Sequence, residues 1–343
     1  MLVGTVWSER REGRGEDAEP LGVFHRPTRA GLLAVFDGAG GAGAAPAWPG
    51  PGGGEPYSGA WVGARAARLG TEHWFLQSLT QGRPATAETL AAHLRRTLQA
   101  ARPRTRSKLT GSMRRALPTT MAALTFRIGE GCLRAQALWA GDSRAYALTP
   151  GSGLHAITRD DTTEDDALDQ LRQDPPMTNL ICADREFTLS AHPAAGPGAL
   201  PVPCVLVAAT DGFFGYVHTP GQFECVLLGA LVGARDMDDW VRQLGRMVGG
   251  YTADDTSLAV AAVGFAGFAD LRAAFRERHD TVWRRYMESV PPLDDRMDGR
   301  ERAELLRQWQ DATWAAYRPS YEAYMPPPPA PAPGPVPAGE AQA

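Results

Sequence analysis

Two short apolar runs in this chain end the same way, and that ending constrains what can be built around them. Residues Gly31-Leu32-Leu33-Ala34-Val35-Phe36 stop on Asp37-Gly38-Ala39-Gly40-Gly41. Residues Pro203-Cys204-Val205-Leu206-Val207-Ala208-Ala209 stop on Thr210-Asp211-Gly212. Runs this short and this apolar read as buried strands. A buried strand that delivers a carboxylate to its end can aim it into a cleft, and the glycine behind it lets the turn backbone approach whatever the carboxylate holds. A third carboxylate pair, Asp254-Asp255, stands just before the apolar run 258–263. One such Asp-Gly would be an ordinary strand-end turn. Three apolar strands, each with an Asp at one end, predict a site for a hard cation.

The bulk numbers leave room for this. At 343 residues and 43% hydrophobic, the chain can bury a sizeable core as one large domain or two ordinary ones. A net charge of −4 gives no general affinity for nucleic acid or an anionic membrane. Cys132, Cys182, Cys204 and Cys225 are widely spaced without a C-x-x-C pair, which argues against a zinc site or a disulfide framework. There is no basic stretch leading into an apolar leader, and no uninterrupted apolar stretch reaches the length of a membrane span. The expectation is a reduced, soluble, cytoplasmic protein.

Along the chain, residues 7–18 crowd Arg10, Arg11 and Arg14 with Glu9, Glu12, Glu16 and Asp17, which reads as a solvated charge cluster. Residues 42–59 are rich in Gly, Ala and Pro and read as a loop. Helical patterns follow over 61–79 and 86–101, the second with Thr86 as N-cap. Residues 89–129 hold nine Arg or Lys and no acid, either a solvated basic loop or a docking surface for an anionic partner. Residues 119–128 and 132–148 read as two strands of a hairpin, the second interrupted by Gly141-Asp142-Ser143-Arg144. Polar residues inside an apolar strand are a local inconsistency of the kind that marks function. Residues 175–202, with five prolines, read as loop with short strands. A single helical pattern covers 222–248. After residue 263, apolar positions recur at helical spacing over 268–286 and 299–317. The segment from Pro326 onward is Pro/Ala/Gly-rich and predicted to be disordered.

In this order and spacing the motifs resemble the metal-dependent Ser/Thr protein phosphatases of the 2C (PPM) family, bacterial type. They are Glu16-Asp17-Ala18, Phe36-Asp37-Gly38-Ala39-Gly40-Gly41, Thr119-Thr120, Gly141-Asp142-Ser143-Arg144, Ile157-Thr158-Arg159-Asp160, Ala209-Thr210-Asp211-Gly212 and Asp254-Asp255-Thr256-Ser257. The resemblance implies an α+β fold, a four-layer α-β-β-α sandwich of two antiparallel sheets flanked by helices. It covers residues 1–265 as a catalytic domain. A helical extension over 266–325 and a disordered tail over 326–343 lie outside it. It implies two Mn²⁺ or Mg²⁺ ions, with Asp37 bridging both, the Gly38 carbonyl on the second, and Asp211 and Asp254 on the first. Glu16 would orient a metal-bound water, and Asp142 would belong to a weaker third site. Oxygen-only ligands suit Mg²⁺ or Mn²⁺. Asp160 stays open between a turn at the base of a flap and support for the metal ligands.

Three positions depart from the family pattern. Glu12 stands where many members carry a phosphate-binding Arg, leaving Arg11 and Arg14 as candidates for that role. Gly215 replaces a further Asp, and Ala39 replaces the His that protonates the leaving group in eukaryotic members. The implied activity is hydrolysis of phosphoserine and phosphothreonine in proteins, opposing a Ser/Thr kinase or acting on its targets. The alternative is a weakened phosphatase fold serving as a binding or scaffold module. The aromatic extension after Phe265 is expected either to pack on the domain or to dock a partner.

Overall fold

In the computed structural model, which describes residues 1–102, 114–195, 199–292 and 297–328, the two Asp-ended runs are inner strands of two different antiparallel sheets. One sheet has the order β1 (Leu2–Ser8), β13 (Thr256–Val263), β12 (Cys204–Ala209), β8 (Arg144–Thr149), β9 (Gly153–Ala156). The other runs β10 (Ser190–Pro193), β7 (Cys132–Ala140), β6 (Met121–Ile128), β3 (Ala30–Phe36), β2 (Ala18–His25), with the short β11 (Leu200–Pro201) also on β7. A two-stranded ribbon joins β4 (Pro46–Trp48) to β5 (Tyr57–Ser58).

Alternation along the strands sorts side chains into layers. Leu33, Val35, Leu124, Ala137 and Trp139 of one sheet meet Ala145, Leu206, Ala208, Ala259 and Ala261 of the other in the central core. The opposite face of the second sheet, with Leu32, Ala34, Ala123 and Leu138, is covered by α2 (Gly59–Gln81) and α3 (Ala87–Ala101), the short α1 (Gly40–Gly43) preceding them. Thr86 caps α3 by accepting from the Thr89 N–H. The outer face of the first sheet, with Tyr146, Leu148, Val205, Val207 and Val260, packs on the remaining helices. They include α6 (Pro220–Gly233), α7 (Met237–Gly249), α8 (Phe268–Ala274), α9 (Arg276–Tyr286) and α10 (Gly299–Tyr321); α4 (Ala167–Gln173) and α5 (Asp211–Phe214) complete the set. The result is the expected four-layer sandwich.

Three expected elements divide. The strand over 132–148 breaks at Gly141, whose φ of +93° favours glycine, and the chain crosses there from one sheet to the other. The polar insert is therefore an inter-sheet turn. The helix over 222–248 is two helices, because Ala234 is extended and Asp236 caps α7 by accepting from Asp239 N at 2.8 Å. The pattern over 268–286 divides at Phe275.

The extension packs inward. Val282, Tyr286, Trp314, Tyr317 and Tyr321 are buried in the same core as β8 and β12. Trp314 Nε1 donates to Asp166, the N-cap of α4, and Arg318 pairs with the same carboxylate at 2.6 Å. Tyr317 donates to Glu224 of α6, which is fully buried and also receives Arg278 at 2.7 Å. These buried aromatics do not form the exposed face that docking would need. Of the tail from Pro326, residues 329–343 lie outside the described residues, as does 103–113 of the basic stretch.

Candidate active site

The Asp-bearing strand ends meet at one edge of the sandwich. Asp37 ends β3, and its carbonyl accepts from Thr120 N at 2.8 Å and Thr119 Oγ1 at 2.7 Å, so the Thr119-Thr120 pair holds this corner. Thr120 in turn shares a 2.7 Å hydrogen bond with Ser143 in the turn that carries Asp142. Asp211 opens α5 directly after β12, on the same side of the sandwich as Asp37. Asp254 stands exposed before β13, its Oδ1 accepting from Asp255 N at 2.8 Å. Glu16 is half-buried between β1 and β2 and accepts from the Ser58 hydroxyl.

Electrostatics show how closely these groups gather. Asp37 is pushed well above the usual carboxylate range, first by desolvation and then by Asp17, Asp211, Asp142 and Asp254. Burial, and after it Asp211 and Asp160, push Asp142 up to about 8. Burial and then Asp254 push Asp211 up to about 6. Glu16 is raised by burial, with Asp255 and Asp254 adding to it against the Ser58 bond. Carboxylates that raise one another in this way are short of positive charge.

Several contributors were not assigned a role from sequence. Asp17 is buried, accepts from Thr210 Oγ1 at 2.9 Å and is driven up by burial and by Asp211. Asp255 accepts from the backbone N–H of Arg10 at 2.7 Å and of Glu16 at 2.5 Å, which ties the start of β13 to the Glu16 loop. Each sits beside a carboxylate that already had a role, so the only signal was its place in the motif. Asp160 is paired with Arg144: Nε and Nη2 both donate to it, the latter at 2.7 Å, and both residues are buried. Arg144 also stacks over Phe214 of α5 at 4.3 Å. Asp160 therefore anchors the turn behind Asp142 through Arg144.

Arg11 and Arg14 stand on the loop ahead of Glu16. Arg11 is exposed and pairs with Glu55 at 3.2 Å. Arg14 is half-buried, donates to the Pro56 carbonyl and lies over the Tyr57 ring at 4.8 Å.

Among the described residues no three His, Cys, Asp or Glu side chains are close enough to hold an ion as they stand. The donor set nevertheless suits one. It is all oxygen, it converges at strand ends, and the buried Oδ1 of Asp142 has no hydrogen-bond partner. Burial and neighbouring carboxylates hold Asp37, Asp211 and Asp142 above the usual carboxylate range, and a hard dication among them would offset that crowding.

No family model matches the chain, and no curated protein sequence matches it. Solved structures do. A bacterial serine phosphatase superposes with a TM-score of 0.50 over 77% of this chain and 98% of its own, at 15% identity. MsPP, a PPM Ser-Thr phosphatase from Mycobacterium smegmatis solved in complex with cacodylate, gives 0.50 over 77% of this chain and 99% of its own, at 12% identity. The fold is that of the PPM phosphatases. At 12–15% identity the likeness shows the fold alone.

Proposed function

We propose that the chain is a metal-dependent protein phosphatase that hydrolyses phosphoserine and phosphothreonine. The observation that carries this reading is the convergence of Asp37, Asp211, Asp142, Asp254 and Asp17 at one edge of a PPM sandwich, where Thr119, Thr120 and Thr210 tie the strand ends together and the other four carboxylates all push Asp37 up. Two Mn²⁺ or Mg²⁺ ions would be held by Asp37, the Gly38 carbonyl, Asp211 and Asp254, with a weaker third site at Asp142. Bound there, they would make a water nucleophilic near neutral pH and balance charge on the phosphoryl group.

The chain's own groups do the rest. The raised carboxyl of Glu16, fixed by Ser58, suits it to take a proton from the attacking water. Arg11 and Arg14 flank that loop and would receive the phosphate oxygens. Ala39 offers no proton, so the leaving oxygen takes one from solvent. Residues 1–265 carry the chemistry in this reading, with 266–325 as a brace. Its partners are phosphoproteins, a Ser/Thr kinase or that kinase's targets. No helix among the described residues is long and apolar enough to cross a membrane, and all four cysteines are free. Both suit a cytoplasmic setting.

Hydrolysis of p-nitrophenyl phosphate and of a phosphothreonine peptide, with and without Mn²⁺, tests the reading. Mn²⁺-dependent turnover of both is expected, and Asp211→Asn should lower it by about 10²-fold or more. A folded protein inert toward both in Mn²⁺ would instead be a binding module.

A further inference from the structure

A second polar constellation lies at the far end of the same strands. β3 starts there at Ala30 and ends beside Asp37, about 20 Å away at strand rise. β6 runs back from Met121 to Arg127 at the same end. An open cavity of about 420 Å³ lies there, between the helix-facing side of the sheet and the connection from α2 to α3.

Apart from Ser78, whose hydroxyl donates to the Trp74 carbonyl at 2.9 Å, its polar lining has little to bind. Leu124 and Phe126 point into the central core, so Thr125 and Arg127 face the helices. Thr125 is registered against Gln136 of β7, and Arg127 against Arg134. Arg83, from the α2–α3 connection, supplies a third guanidinium, and no carboxylate lines the cavity. Among the described residues the side chains of Arg83, Arg134, Thr125 and Gln136 make no hydrogen bond or ion pair. Arg127 makes one, donating Nη1 to the Thr28 carbonyl at 3.2 Å. Like charges directly opposite on neighbouring strands repel. Phe75 and Leu79 of α2 form an apolar wall.

We propose that this groove binds a small organic phosphate of nucleoside-monophosphate size, with its phosphate on Arg83, Arg127 and Arg134 and its organic body against Phe75 and Leu79. The guanidinium fork matches a phosphate oxyanion in a bidentate fashion. The volume lies within the range of small-molecule sites. The groove shares no residue with the carboxylate edge, so the proposal stands apart from the phosphatase reading.

Isothermal titration of the metal-free full chain with adenosine 5′-monophosphate tests it. Saturable one-site binding is expected. Arg134→Glu and Arg83→Glu should each weaken it by about tenfold or more, and Asp211→Asn should leave it unchanged. Both arginines are exposed, and circular dichroism verifies that the variants fold. Absence of saturable binding overturns the proposal. So does binding lost in Asp211→Asn but kept in Arg134→Glu, which would place the nucleotide at the carboxylate edge. Adenosine binding as tightly as its monophosphate would remove the anion basis, and succinate matching the monophosphate would remove the choice of phosphate. A phosphoserine peptide binding more tightly through the same arginines would replace the small molecule by a protein segment.

Discussion

The hydroxyl of Tyr321 accepts a hydrogen bond from Nη1 of Arg144 at 3.4 Å, so the end of α10 touches the residue two places after Asp142. Arg144 in turn holds Asp160 and stacks on Phe214 in the turn that begins with Asp211. The extension therefore braces two of the proposed metal ligands from behind. Trp314→Ala, which empties a buried site 5% exposed, should cost about 3–5 kcal/mol in denaturant unfolding. Tyr321→Phe should cost about 1 kcal/mol. Equal stability of Trp314→Ala and the parent would show that α10 is only appended.

Gly212 lies under the same corner, where an added Cβ would run into the backbone carbonyl of Asp255. Backbone cannot give way as a side-chain tip does. Gly212→Ala should lose about 3 kcal/mol, the upper end for overpacking. It should also reduce Mn²⁺-dependent hydrolysis more than tenfold, by prising Asp211 from Asp254. Thermal unfolding and turnover of the same variant check both.

Asp255 is the acceptor for two backbone donors, so its replacements should separate. Asp255→Ala strands the N–H groups of Arg10 and Glu16 and should cost about 2–4 kcal/mol. Asp255→Asn keeps one acceptor oxygen and should recover at least half of that. Chemical denaturation of the pair measures the difference.

The raised carboxylates set a pH dependence with a defined sign. Asp211 and Asp142 have folded values near 6 and 8 against an ordinary 3.8, so over this interval the folded chain holds protons that the unfolded chain has released. Their contribution is complete below 3.8 and is lost as pH rises through 6 and then 8. The metal-free melting temperature should fall between about pH 5 and pH 8. Asp142→Asn should flatten that fall, and Mn²⁺ should reverse it at the upper end. Scanning calorimetry across the range, with and without the ion, measures all three.

The inner strands were legible because both of their faces are buried, which makes them near-continuous apolar runs. The edge strands β1 and β2 were not. Leu2–Ser8 alternates exposed and covered positions and contains Gly4, and β2 contains Pro20 and Gly22. The insert at Gly141-Asp142-Ser143 announced itself as an irregularity, but composition does not reveal that a break carries the chain between sheets. α6 is buried almost all round, so no stripe marked its end against α7. In the site, Asp37, Asp211 and Asp254 could be named from their motifs. The Arg144–Asp160 pair and the double acceptor role of Asp255 depend on contacts across 16 and 245 residues, which no local pattern carries.

Direct titration of Mn²⁺ into the metal-free protein at neutral pH, followed by calorimetry, asks whether the carboxylate edge holds metal. Two ions per chain should bind at the tighter sites with release of protons, and Asp37→Asn and Asp211→Asn should each lose at least one ion. Binding that is absent, or that is untouched by both substitutions, would contradict a metal site there.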